Sequence, residues 1–150
     1  RVTVHRVTKG RFVRTIFLPG SPPPVASEAV LDPNGNCIIS CAEERSIHVV
    51  TLNGVHMARV EWEVTIRCMV ASFDGEYVVC GGSDGSIELF SLPGLGRKHV
   101  FYGQAGVTSL EFGPRDSYLV VGFEDGKVSV CVDIQQRLAM VYNGLEEMYI

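Results

Sequence analysis

Hydrophobic and polar positions in this chain trade places over short distances. Apolar runs of about six residues are cut by turn residues, and none keeps a helical period. Tyr77-Val78-Val79-Cys80-Gly81-Gly82 and Tyr118-Leu119-Val120-Val121-Gly122-Phe123 are nearly continuous apolar runs, the pattern of strands buried on both faces. Ile87 to Leu92 alternates, with Ile87, Leu89 and Ser91 opposing Glu88 and Phe90, which places Glu88 near solvent. Asp74-Gly75 and Asp84-Gly85 separate adjacent runs, as tight hairpins require. The pattern predicts an all-β chain of short antiparallel strands.

The strands fall into a repeat. Leu31 to Ile39, Ala71 to Val79 and Phe112 to Val120 align, so that Gly35, Gly75 and Asp116 occupy one turn at spacings of 40 and 41. A second landmark keeps the same period: Arg45, Gly85 and Gly126 differ again by 40 and 41. Glycine accepts a positive φ without a Cβ clash, so Gly35, Gly75, Gly85 and Gly126 read as structural turns. Arg45 breaks that rule. A left-handed Arg costs about 1 kcal/mol, so either the first unit turns differently there or Arg45 is tolerated for another reason.

A four-stranded antiparallel unit of about 40 residues is a propeller blade, which must pack on its neighbours to bury its faces. The expected organisation is a propeller segment of about three and a half blades. Residues 1–16 end a preceding blade, 27–60, 66–102 and 107–142 are blades, and 143–150 begin a next element or form a tail. Ser21-Pro22-Pro23-Pro24 makes the first interval longer than the period and reads as an exposed connector. The chain opens inside a strand, which suggests a piece of something longer. End blades of such a segment expose apolar faces unless other blades cover them, so the segment alone is expected to self-associate.

Ser72 through Phe90 resembles the WD-repeat consensus, although the Trp-Asp positions hold Val50-Thr51, Phe90-Ser91 and Cys131-Val132. The family's Asp-His-Ser-Trp hydrogen-bond network therefore lacks most of its members, and apolar packing is expected in its place. A narrower resemblance lies in His5 to Arg14 and in Leu52-Asn53-Gly54-Val55-His56-Met57-Ala58. These segments look like the carboxy-terminal propeller of BEACH-domain proteins. That resemblance implies a cytosolic scaffold at membranes, acting in vesicle trafficking.

Composition is globular, 46% hydrophobic and 20% charged, and the net charge of −4 opposes a general nucleic-acid binder. The charge is uneven. Arg1, Arg6, Lys9, Arg11 and Arg14 fall in the first fifteen residues with no acid among them, leaving eight basic and seventeen acidic residues elsewhere. Arg6, Lys9, Arg11 and Arg14 thus motivate an alternative function, a propeller that binds anionic lipid. Against it, the Phe-Arg-Arg-Gly motif of phosphoinositide-binding propellers is absent. Solvated strands with Arg and Lys facing outward are the plainer reading.

Five scattered cysteines do not make a disulfide framework. Cys37 and Cys41 lie on one strand, roughly 13 Å apart, too far to share a disulfide or a zinc. Buried thiols in a reducing, cytoplasmic compartment are expected.

Chemistry is scarce. His5, His48, His56 and His99 are isolated in sequence and read as surface or turn residues, with no metal expected. Gly94-Leu95-Gly96-Arg97-Lys98 lacks the following helix of a phosphate loop and reads as a hairpin. Glu43-Glu44 and Glu146-Glu147 are adjacent on strands and point to opposite faces, so neither makes an acid/base dyad. No enzyme, cofactor, small-molecule substrate or nucleic acid is expected. Trp62, between Glu61 and Glu63, either anchors a partner from a loop or packs between blades. Together with the turn residues Arg45, Asp84 and Asp125, it forms the candidate protein-binding set.

Overall fold

The computed structural model describes residues 1–132 and 139–143. Strands β1 (Val2–Arg6) and β2 (Arg11–Ile16) form a two-stranded hairpin. The first blade is β3 (Glu28–Leu31), β4 (Asn36–Cys41), β5 (Ser46–Thr51) and β6 (His56–Glu61). The second is β7 (Ile66–Ala71), β8 (Tyr77–Gly82), β9 (Ser86–Ser91) and β10 (Gly96–Tyr102). The third is β11 (Val107–Phe112), β12 (Tyr118–Phe123), β13 (Val128–Val132) and β14 (Ala139–Asn143). Each four-stranded sheet pairs its strands in chain order, antiparallel throughout. The all-β segment of three blades behind half of another is the architecture the repeat predicts. The expected element beyond Asn143, including Glu146-Glu147, lies outside the described residues.

Both landmark turns repeat in atomic detail. The N–H groups of Gly35, Gly75 and Asp116 donate to the carbonyl three residues back, on Asp32, Ser72 and Gly113, at 3.1–3.2 Å. Arg45, Gly85 and Gly126 do the same to Ala42, Gly82 and Phe123. Arg45 takes φ +50°, so the first unit keeps the left-handed turn, which rules out a different turn there. Its tolerance rests on bonds to the segment after β6. The Arg45 carbonyl accepts the Trp62 N–H at 2.7 Å, as Gly85 accepts Gly103, and its Nη1 adds a bond to the Glu63 carbonyl at 3.1 Å.

Burial follows from stacking. One face of the second blade, with Val79, Ile87 and Leu89, packs on Val107, Leu119 and Val121 of the third. Its other face, with Met69, Val78 and Phe90, packs on Ile38, Ile47 and Val49 of the first. The hairpin closes over Cys37, Ile39 and Val50 through Ile16 and Leu18.

A sheet between two sheets has no wet face, and this corrects two expectations. Glu88 is 4% exposed rather than near solvent, and His48 is 0% exposed rather than at the surface. Val50, Phe90 and Cys131, at the Trp positions of the repeat, are all fully buried, so apolar packing does stand there. All five cysteines are buried and unpaired. Burial pushes the Cys68 thiol up to about 12 and Cys131 to about 11. Of the connector prolines, Pro22 and Pro23 are exposed and Pro24 is buried.

Candidate interaction surface at a blade seam

A groove of about 400 Å³ opens where the segment after β6 passes the outer strands of the second blade. Trp62 forms its apolar wall, 4% exposed and edge-on to Phe90 with ring centroids 6.4 Å apart. Trp62 is therefore packed between blades, not projected as a free anchor. Tyr102 and Val100 on β10 supply the accessible apolar surface, at 68% and 47% exposure.

Charge is arranged around that wall. Glu88, on the buried third strand, pairs with Arg97 of the neighbouring β10 at 3.2 Å. Burial pushes the Glu88 carboxyl above its ordinary range, and the Arg97 guanidinium offsets part of that push. Arg97 also donates to the Glu61 carbonyl at 2.7 Å and lies 5.8 Å from the Phe90 ring centre, within cation–π range. It thereby ties the first blade's edge to the second. Asp84 lines the same groove, its Oδ1 accepting the Ser86 N–H at 2.9 Å. That bond fixes the turn, a role Asp and Asn fill because their short side chains reach backbone two residues on.

Three of the four candidate residues meet here. Trp62 and Asp84 line the groove, and Arg45 holds the Trp62–Glu63 backbone from the first-blade turn. Asp125 stands apart on the third blade. It accepts the Lys127 N–H at 3.1 Å and pairs with Lys127 Nζ at 3.2 Å. That backbone bond leads in holding its carboxyl below the usual range. Sequence reasoning missed Glu88, Arg97 and Tyr102. Their signal lay in the period, which aligns Glu88 with His48 at a spacing of 40.

The His48 position carries a different chemistry. His48 Nδ1 lies 3.1 Å from His56 Nε2, and its Nε2 lies 3.1 Å from Ser46 Oγ. Burial, reinforced by His56 and Arg59, lowers the His48 pKa to about 4, so the His48 ring is neutral at pH 7. Among the described residues, no three His, Cys, Asp or Glu side chains are grouped to hold a metal ion.

The model of the neurobeachin beta propeller domain matches residues 2–139. The chain belongs to that family. BEACH domain-containing protein B of Arabidopsis thaliana is 27% identical over 127 residues, covering 84% of this chain. The chain spans 5% of the length of that protein. Among solved structures, the crystal structure of RRP9 WD40 repeats is similar at a TM-score of 0.73 and 17% identity. That match covers 87% of this chain and 42% of the other, and it shows the WD40 fold.

Turns at the opposite end of this neurobeachin-type propeller also bond across blades. Asp116 accepts the Phe73 N–H at 2.8 Å and the Asp74 N–H at 3.3 Å. At the groove's own end, Arg67 at the start of β7 and Glu124 in the turn after β12 make an ion pair between the second and third blades. At Gly75 and Gly85 a positive φ coincides with close approach of neighbouring atoms. A Cβ on Gly85 would sit 2.7 Å from the Ala105 carbonyl oxygen, and one on Gly75 would meet Asn34. Gly35 and Gly126 need glycine for φ alone, +82° and +83°, with open space around them. No helix among the described residues is long and apolar enough to cross a membrane.

Proposed function

We propose that this propeller segment is a noncatalytic protein-interaction scaffold and that a protein partner docks in the seam groove between the first and second blades. The observation that carries the reading is the groove itself. Its wall is rigid, built from Trp62 and Phe90, while Tyr102 and Val100 remain exposed beside it. Aromatic side chains on a preordered frame give contact area at low entropic cost. In this reading Asp84 supplies charge at the mouth, Arg45 holds the rim, and Asp125 belongs to a separate contact on the third blade.

Membership of the neurobeachin propeller family supports a finer role. The segment would serve a BEACH-type protein in vesicle or membrane trafficking, on the cytoplasmic side, without a cofactor or small-molecule substrate of its own. The test is quantitative capture by the full-length parent chain, comparing wild type with Tyr102→Ala and Val100→Asp. Both residues are exposed; because Val100 lies opposite Glu88 across the strands, a thermal melt of each variant checks that it is folded before capture is compared. One discrete partner set should be lost from both variants and retained by a control at exposed Thr3. Unchanged capture in both variants would remove the groove from the account.

A further inference from the structure

The two seams between blades share one backbone frame and carry different charges. At the first seam the Trp62 N–H donates to the Arg45 carbonyl and the Ser83 N–H to the Thr65 carbonyl. At the second, the Gly103 N–H donates to the Gly85 carbonyl and the Glu124 N–H to the Gly106 carbonyl. These bonds bracket the segment before each blade and fix a correspondence. Glu63 matches Gln104, Asp84 matches Asp125 and Ser86 matches Lys127, each at a spacing of 41.

A cation completes the set at the second seam. Lys127 Nζ lies 3.2 Å from Asp125 Oδ2 and donates to Gln104 Oε1 at 3.3 Å, bridging the turn and the segment before β11. Gln104, Asp125 and Lys127 sum to a formal charge of zero, whereas Glu63, Asp84 and Ser86 sum to −2. Glu63 and Asp84 both line the groove, and the Ser86 hydroxyl at the lysine position only donates to Asp84 Oδ1. The nearby arginines are engaged elsewhere. Arg97 pairs with Glu88 and donates to the Glu61 carbonyl, Arg59 pairs with Glu61 and Glu44, and Arg45 donates to the main-chain carbonyl of Glu63. Among the described residues, neither Glu63 nor Asp84 makes an ion pair. Tyr102 and Val100, exposed on the same lining, offer apolar surface along which a long cationic side chain lays its methylenes. An apolar occupant would strip water from both carboxylates without a counter-charge, and an acidic one would be repelled. The walls of this groove come from two blades whose four strands are all described.

We propose that the seam groove binds a lysine-bearing segment of a protein partner. Its ammonium takes, between Glu63 and Asp84, the place that Lys127 takes between Gln104 and Asp125. The inference rests on the groove reading above and names the chemistry of its occupant. The probe is a fluorescent peptide of alternating alanine and lysine, titrated by anisotropy into the full-length parent chain. Its fully acetylated form keeps the shape, removes the charge and serves as control. The lysine peptide should bind and the acetylated peptide should not. Glu63→Gln and Asp84→Asn should each weaken binding about two- to fivefold, and the double variant roughly tenfold. Glu63 is exposed, and Asn at 84 keeps the acceptor that fixes the turn, so both variants retain the groove. Glu76→Gln, which changes an exposed carboxylate at the opposite end, should leave the affinity unaltered.

Three results would overturn the proposal: equal binding of the acetylated peptide, no binding of the lysine peptide, or undiminished binding by the Glu63/Asp84 double variant. Failure of the groove itself reads differently in the capture experiment. Loss of the partner set from Tyr102→Ala with full capture by the double variant would keep the groove and overturn the lysine. Full capture by both would overturn the two together.

Discussion

The first and second blades are the same structure displaced by 40 residues, yet they fill one buried position in opposite ways. His48 and Glu88 sit in the middle of equivalent third strands, both with almost no exposure. Each takes its partner from the adjoining outer strand, His56 in one case and Arg97 in the other. The first blade thus holds a neutral imidazole in a chain of hydrogen bonds and the second an ion pair. The third blade fills the slot with the small Ser129, whose Oγ has no partner among the described residues, but a larger polar group there must be bonded, since burying it unpaired costs several kcal/mol. Its charge is free to vary. What the fold fixes is the slot and the strand that supplies the partner. Only the second blade turns that freedom into a charged groove wall.

The largest expected contrast concerns the apolar neighbours of the two slots. Phe90→Ala should cost about 3–5 kcal/mol, while Val50→Ala, at the equivalent position, should cost roughly 2 kcal/mol. Urea unfolding of the propeller would measure both. Equal losses would mean that the blades do not differ in how their cores are filled.

Next comes pH. His48 is held at about 4 against an ordinary 6.5, so the folded state binds its proton less readily than the unfolded chain. Its contribution is fully present above pH 6.5 and is lost as pH falls toward 4, about 3 kcal/mol over that window. His48→Gln should flatten this loss. A wild-type curve already flat between pH 6.5 and 4 would break the assignment. Glu88 should show the opposite slope. Its folded pKa is raised, so its contribution is fully present below about 4.5 and lost as pH rises through the folded value. Glu88→Gln should therefore be more stable than wild type at pH 7, with the gap closing toward pH 4.5.

The turns give a smaller difference. Gly85→Ala should cost about 2 kcal/mol, because the new Cβ meets two carbonyl oxygens in a left-handed residue. Arg45→Gly should change stability by less than about 1 kcal/mol, relief of the left-handed strain being offset by loss of the Glu63 bond. A large destabilisation from Arg45→Gly would show that the side chain, not the backbone turn, holds Trp62 in place.

The blades were legible in the sequence because their punctuation is local. Asp74-Gly75, Asp84-Gly85 and their periodic equivalents mark turns whose geometry depends on a few adjacent residues. Glu88 and His48 were misjudged because alternation presumes one face in water, whereas here each sheet is covered on both sides. Trp62 was ambiguous for a related reason: its burial depends on Phe90, which belongs to the next blade's third strand. Arg45 shows the reverse case. Its sequence argued against a left-handed turn, and a long-range bond to Glu63 supports one. The groove required all of these placements together, so only its pieces could be read from the chain.

Site-specific photo-crosslinking tests the central claim, that a protein partner docks at the first seam groove. A photoreactive residue at Tyr102 in the full-length chain should yield one discrete protein adduct that Val100→Asp abolishes. The same probe at Tyr118 on the third blade should not yield that adduct. The same adduct from both positions, or none from Tyr102, would contradict the account.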